Sequence, residues 1–331
     1  MKKSLIALAV LASTGAMAQS SVTLYGIVDV NLQSSKVDGG VRQTALESGG
    51  VSGSRFGLKG SEDLGGGLKA NFLLESGFNA DDGSSRTSGS LFDRQAYVGF
   101  SGGFGEIQLG NTWTPLDDIH GNANAVFDSI LSPTAYIQAG YVASPKNQIK
   151  YISPSFGGLT GTVSYALGEN KTATTSAKNV FGLNVQYAAG PLYVGYGYQN
   201  DKKSDAVATG GTGVTTKHNL LNATYDLGVA KLLASYRNVK NPDTGYEKEN
   251  TVQVGVDIPV GASLVVSTGY ARAKSEAAGV ADLTTNGFAI GASYSLSKRT
   301  SVYTGYNRTE AKIADSKIKG NLYAVGVRHA F

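Results

Sequence analysis

Thr251-Val252-Gln253-Val254-Gly255-Val256-Asp257-Ile258 sets four branched aliphatic residues on one parity and Thr, Gln, Gly and Asp on the other. A strict two-residue period belongs to a β-strand with one apolar and one polar face. The same alternation runs upstream through Val22–Leu32, where Val22, Leu24, Gly26, Val28, Val30 and Leu32 oppose residues that include Thr23, Tyr25, Asp29 and Asn31. It recurs at Phe181/Leu183/Val185/Tyr187 and at Phe288/Ile290/Ala292/Tyr294. No window sustains a 3.6-residue period, so the chain reads as all-β. Sixteen such segments run from 22–32 to 320–331. Tight turns, such as Gly102-Gly103 and Ala189-Gly190-Pro191, alternate with longer polar loops at 33–53, 78–91, 200–217 and 275–285. Even strand number, short turns at one rim and long loops at the other describe a 16-stranded antiparallel transmembrane β-barrel. Closure follows physically, because hydrocarbon cannot satisfy an open sheet edge.

Composition narrows the alternatives. The 331 residues include 44 Gly without a Gly-X-Y period, 18 Tyr and no Cys, and carry a net charge of +4. No Cys means no disulfide framework, thiol chemistry or thiolate metal site, and the charge balance is too near neutral for a nucleic-acid partner. Lys2 and Lys3, the apolar run Leu5–Leu11 and Ala16-Met17-Ala18 spell a cleaved secretory signal over residues 1–18. That leaves one barrel over 19–331 and no further domain boundary. The polar parity is rich in Gly, Ser, Thr, Asn and Gln, while Tyr165, Tyr187, Tyr236, Tyr270 and Tyr306 sit near segment ends as interfacial girdles do. In the last segment Tyr323, Val325, Val327 and Phe331 share one parity and end on a terminal aromatic, which looks like the assembly signal of outer-membrane barrels.

The longest connection, 112–146, is too apolar for a solvated loop: it holds Trp113, Leu116, Ile119, Val126, Phe127, Ile130 and Leu131. Folding into the lumen gives these side chains a wall and brings Asp117, Asp118 and Asp128 into the pore; capping the outside or reaching a neighbouring subunit are the alternatives. Arg55 and Lys59 lie on the polar parity of the second segment, Glu75 points inward, and Lys150 opposes Ile149 and Tyr151 in parity. Arg94 shares parity with Ala96, Val98 and Phe100, so alternation leaves its direction open.

Ser21-Val22-Thr23-Leu24-Tyr25-Gly26, Ser54-Arg55-Phe56-Gly57-Leu58-Lys59-Gly60, Leu74-Glu75-Ser76-Gly77-Phe78, Arg94-Gln95-Ala96-Tyr97-Val98-Gly99 and Val325-Gly326-Val327-Arg328-His329-Ala330-Phe331 resemble the trimeric general porins of β-proteobacteria. The resemblance spans the mature chain. It implies a homotrimer of water-filled barrels in the outer membrane, among lipid and lipopolysaccharide, each narrowed by an inward-folded third loop. It implies passive passage of small hydrophilic solutes and inorganic ions, with no cofactor or metal. It also places Arg94 in the lumen, in a ladder with Arg55 and the position of Lys150, where the family carries Arg. Lys there keeps the charge but loses the planar fork that grips oxyanions. Arg55, Lys59, Arg94 and Lys150 against Glu75, Asp117 and Asp118 make a wall with weak anion preference.

An enzyme needs a base beside a nucleophile or activated water. His120, His218 and His329 have neither a Gly-x-Ser-x-Gly elbow nor a His-x-x-x-His pair, so a non-enzymatic channel is expected. A sugar-specific slide would need a row of inward aromatics, and Tyr25, Tyr97 and Tyr193 are too few.

Overall fold

The computed structural model describes residues 21–203, 215–242 and 244–331. The expected signal, 1–18, and part of the expected 200–217 loop lie outside the described residues. Strands form at Ser21–Val37 (β1), Gln43–Ser48 (β2), Arg55–Gly65 (β3), Leu68–Gly77 (β4), Gln95–Gly102 (β5), Gly105–Asn111 (β6), Gln148–Ile152 (β7), Leu159–Ala166 (β8) and Asn179–Ala189 (β9). They continue at Leu192–Lys202 (β10), Thr215–Asp226 (β11), Lys231–Lys240 (β12), Lys248–Val260 (β13), Leu264–Glu276 (β14), Leu283–Ser295 (β15), Thr300–Ile313 (β16) and Ser316–Ala330 (β17). A short helix, α1 (Pro115–His120), lies in the longest connection. Among the described residues no helix is long and apolar enough to cross a membrane.

Pairing is antiparallel throughout, and β17 pairs with β1 to close the sheet. The other edge of β1 is shared: Ser35 to Val30 face β2, then Ile27 to Ser21 face β3. Among the described residues seventeen strands therefore fill the sixteen positions expected, because one is interrupted at 49–54. Most of the expected 33–53 loop is ladder. At the far rim β14 runs to Glu276 and β15 begins at Leu283, while β16 and β17 are joined by Ala314 and Asp315 alone. Ladders outrun the apolar alternation because backbone pairing continues past the lipid belt, where side chains no longer need to be apolar.

One parity faces outward, exposing Leu24, Val98, Val252, Val254, Val325 and Val327. Its upper edge is marked by tyrosines that donate to asparagines one strand on: Tyr196 to Asn219 (2.9 Å), Tyr236 to Asn250 (2.9 Å), Tyr270 to Asn286 (2.7 Å) and Tyr306 to Asn321 (2.6 Å). Each pair lets an aromatic body sit at the lipid boundary with its hydroxyl satisfied by protein. The other parity buries Asn31, Asn184, Gln199, Asn222, Gln253 and Asn307.

At the seam, Phe331 N donates to Gly26 O at 3.1 Å and Gly26 N to Phe331 O at 3.2 Å. The Phe331 ring covers Gly26 so closely that a side chain there would collide with it. Tyr323, Val325 and Val327 face outward on the same strand. Deleting Phe331 removes this closing pair from the last strand. The expected outcome is loss of most detergent-resistant, heat-shiftable protein from the outer-membrane fraction; normal assembly would refute a role for the terminal residue.

Candidate pore constriction

Segment 112–146 runs along the polar parity of the strands, and its backbone is met there by side chains from successive strands. From β7, Gln148 donates to Thr112 O at 2.9 Å and Lys150 to Trp113 O at 3.0 Å. Asn184 on β9 reaches Pro115 O at 2.7 Å, and Asn222 on β11 reaches Ile119 O at 2.6 Å. Gln253 on β13 donates to Ala123 O, Ser267 on β14 accepts from Val126 N at 2.7 Å, and Asn307 on β16 donates to Ser132 O at 2.7 Å. The returning limb is held by Glu249, which accepts from Ala139 N at 2.8 Å, and by Gln199, which donates to Val142 O at 2.8 Å. Buried backbone groups outside regular structure require such partners.

The facing wall is stripped to glycine where the segment comes closest. A Cβ on Gly269 would strike Ala125, and one on Gly291 would meet Val126. This is one use of the glycine excess. Leu116 and Ile119 pack with Leu220, while Ala125, Val126 and Leu131 pack with Leu233, Ala289, Leu322 and Ala324. The apolar residues that made 112–146 unfit for a solvated loop thus find a wall. Thr114 caps α1, accepting from Asp117 N at 3.4 Å, with Pro115 in the first turn.

The charged residues singled out in the sequence form two groups. In the first, Glu75 is 6% exposed and receives Arg94 Nε at 2.7 Å, Arg55 Nε at 3.5 Å and the Tyr25 hydroxyl at 2.9 Å. Arg94 lies one residue before β5, so the strand's alternation does not govern it, and its guanidinium stacks 5.0 Å from the Trp113 ring. Lys59 is separate and exposed, 5.2 Å over the Tyr25 ring. In the second group Lys150 does not stand across a channel from Asp118: the two are ion-paired at 2.7 Å, with Lys150 4% exposed. Asp117 accepts from the Tyr141 hydroxyl at 2.7 Å. Burial pushes the Asp117 carboxyl up to about 6, against the opposing pull of the Tyr141 hydrogen bond. Burial also raises Asp118, against the pull of Lys150.

Other residues of this region escaped the sequence reading. A cavity of about 560 Å³ is lined by Arg55, Arg86 and Arg94 together with Phe127 and Asp128. Arg86 sits in the 78–91 connection, which reads as an ordinary polar loop. Arg328, on the inward parity of β17, donates to Ser52 Oγ at 3.1 Å, and the parity of Val325 and Val327 already implied its direction. Asp29 is fully buried and accepts from Gly50 N (3.1 Å), Val51 N (3.0 Å), Ser52 N (2.8 Å) and the Tyr303 hydroxyl. This clasp holds the 49–54 interruption inward, where Gly50 O accepts from Ile130 N at 3.1 Å. Val126, Phe127 and Asp128 all adopt left-handed backbone, with φ of 56°, 67° and 48°. Such conformations cost about 1–3 kcal/mol each; here the surrounding bonds enforce them and turn Phe127 and Asp128 toward the arginines. Of the histidines, His120 meets Gln138, His218 meets Arg237 and Asp201, and His329 meets Thr300.

A closed barrel with an apolar and a polar face to its strands is the architecture of an outer-membrane channel. The profile of the Gram-negative porins matches residues 4–314, and the chain belongs to that family. Outer membrane porin protein 32 of Delftia acidovorans is 37% identical over 100% of both chains. Major outer membrane protein P.IB of Neisseria meningitidis serogroup B is 29% identical, again over 100% of both. Among solved structures, the anion-selective porin from Comamonas acidovorans gives a TM-score of 0.80 at 33% identity, covering 95% of this chain and 100% of that one. OmpTdeltaL8 of Vibrio cholerae, at 21% identity and a TM-score of 0.74 over 94% and 99%, shares the fold. The protein is thus an outer-membrane porin, a water-filled channel for passive diffusion of small hydrophilic solutes and ions.

Asn222→Leu keeps the forked side-chain shape but leaves the Ile119 carbonyl unpaired, a cost of about 1–3 kcal/mol. The barrel is expected to insert normally while single-channel records show added open-state noise. Quiet, wild-type traces would mean that the hydrogen bond does not restrain the segment.

Proposed function

We propose that this porin is a general diffusion channel of weak anion preference, narrowed by segment 112–146 folded into its lumen. The mature chain then begins after residue 18 and works as a homotrimer. The observation that carries this reading is the imbalance of charge around the 560 Å³ cavity, which is lined by Arg55, Arg86, Arg94 and Asp128, with Glu75 ion-paired to Arg55 and Arg94. The clamping of 112–146 to inward side chains from β7 to β16 supports its place in the lumen. Cations on the wall opposite an acidic loop make a field across the passage. That field orients dipolar solutes and disfavours apolar ones, which would disturb ordered water without replacing its hydrogen bonds; charge rings set ion preference by the same electrostatics. The Lys150–Asp118 pair is neutral as a unit and serves as an anchor, so Arg55 and its arginine neighbours are the selectivity residues. Channel work needs no catalytic group, and the histidines act as hydrogen-bonding partners in the wall and loop. The similarity to an anion-selective porin points the same way.

Reversal potential across a potassium chloride gradient tests this. Arg55→Gln should move it toward cations, most at low salt, since screening extends about 10 Å at 0.1 M and only about 3 Å at 1 M. Neutralising Lys150 and Asp118 together should leave it nearly unchanged. The Asp117 carboxyl, raised by burial to about 6, is anionic at pH 8 and neutral at pH 5, so acidification removes a negative charge. The preference for anions should therefore grow as pH falls through about 6, and Asp117→Asn should flatten that change. A larger effect from the Lys150/Asp118 pair than from Arg55 would overturn the assignment.

A further inference from the structure

We propose that the inward wall of β8–β11, at the rim of the long loops, carries a capture site for amphipathic carboxylates, of which an aromatic acid is the simplest. The proposal adds a solute class to the diffusion-channel reading and rests on segment 112–146 lining the lumen, not on which charges select ions. Between the returning limb of that segment (140–147) and the wall lies a cavity of about 830 Å³. Sites for small organic molecules usually enclose about 300–1,000 Å³. Its wall side is formed by Ala166, Val180, Asp201, Thr216 and His218, each buried and on the inward parity. It shares no lining residue with the arginine-lined cavity. The connections at this end, 167–178 and 203–214, are long, and β9 and β10 are joined at the other end by Gly190 and Pro191 alone. This rim therefore meets the cell exterior.

Hydrogen bonds fix the shape of the cavity. Val142 N donates to Asp201 at 3.2 Å, Gln199 donates to Val142 O at 2.8 Å, and Leu167 N donates to Asn147 O at 3.0 Å. Asn147 donates to Glu169 at 2.6 Å, tying the limb to the connection after β8. The lining then divides by chemistry. Val142, Pro145, Ala166, Leu167 and Val180 make an apolar side, on which Val142 and Leu167 stay 41% and 48% exposed. Lys146, Lys178, Lys202 and Lys203 make a basic one: Lys178 immediately precedes β9, Lys202 ends β10 and Lys203 follows it. Lys146, Lys178 and Lys202 make no ion pair among the described residues. The single acid in the described lining, Asp201, is already engaged by Gln199 at 2.8 Å, by Val142 N and by His218 at 3.3 Å.

Such a lining selects a solute with two unlike ends. The ammonium groups pair with a carboxylate as point charges on flexible stems, without demanding the two-pronged geometry that arginine imposes. A ring or short chain on the same solute covers Val142 and Leu167 and removes apolar surface from water. A small inorganic anion leaves that apolar side wet, and a neutral ring leaves the lysines unpaired. Exposed ion pairs are individually weak, so the solute leaves as readily as it enters, as conduction requires. Placed on the outer side of the passage, the site raises the local concentration of such acids beside the arginine-lined cavity.

The test is equilibrium dialysis of the purified full-length porin in detergent micelles, against porin-free micelles, with naphthoate, its neutral amide naphthamide, or acetate. Naphthoate should bind about tenfold more tightly than either of the others. Lys178→Gln with Lys202→Gln should erase the preference for naphthoate over naphthamide, while Lys178→Arg with Lys202→Arg should keep most of it. Leu167→Ser should weaken naphthoate and leave acetate unchanged. Heat-shifted migration in detergent confirms that each variant is a closed barrel. Equal binding of naphthoate and naphthamide by the wild type, naphthoate no tighter than acetate, or an unaltered preference in the double Gln variant would overturn the proposal. Reversal potential of the double Gln variant reports separately on the selectivity reading: it should stay near the wild-type value, and a shift as large as that of Arg55→Gln would count against the arginine assignment alone.

Discussion

A backbone polar group removed from water must find a partner, and this requirement shapes the whole molecule. In hydrocarbon the strands meet it only by closing on themselves, so β1 and β17 pair along the seam and Phe331 completes the pairing at Gly26. The 112–146 segment faces the same requirement without a ladder of its own. Its partners are the amides and hydroxyls of the polar parity, supplied by one strand after another. Glycine on the facing wall allows the approach, and amide side chains beside it provide the bonds. Part of the glycine excess follows from building a wall that must both clear space and hydrogen-bond.

Charge is arranged under the same constraint. Groups deep in the wall are matched: Glu75 takes two arginines and a tyrosine, Lys150 takes Asp118, and Asp29 takes three backbone N–H groups. Breaking a buried pair by removing one partner is strongly destabilising, so matched groups are tied to folding. Permeating ions respond to what is left over, which is the arginine surplus around the cavity that Phe127 and Asp128 also line. Structure and selectivity therefore overlap in one charged set: Arg55 and Arg94 share the single charge of Glu75, and the surplus, with Arg86, faces the cavity.

The barrel was legible because alternation is enforced wherever one face meets lipid and the other water. Strand ends were not, since past the lipid belt residues such as Lys274, Glu276 and Lys312 continue the ladder while breaking the pattern. Arg55, Glu75 and Lys150 were readable from parity. Arg94 was not, because it precedes its strand; the family resemblance supplied what alternation left open. Parity put Lys150 on the polar face, but its ion pair depends on how α1 docks, which no local pattern encodes. Arg86 and Asp29 were missed for a related reason: one belongs to a loop that folds back, and the other's role exists only once 49–54 turns inward.

The central claim is that 112–146 occupies the lumen and limits flow. Single-channel conductance of the porin after excision of residues 117–130, set beside the intact protein in the same salt, tests it most directly. The account predicts a clear rise in conductance with the barrel still closed, as shown by heat-shifted migration in detergent. Unchanged conductance through an intact barrel would place the segment outside the conducting path and contradict the account.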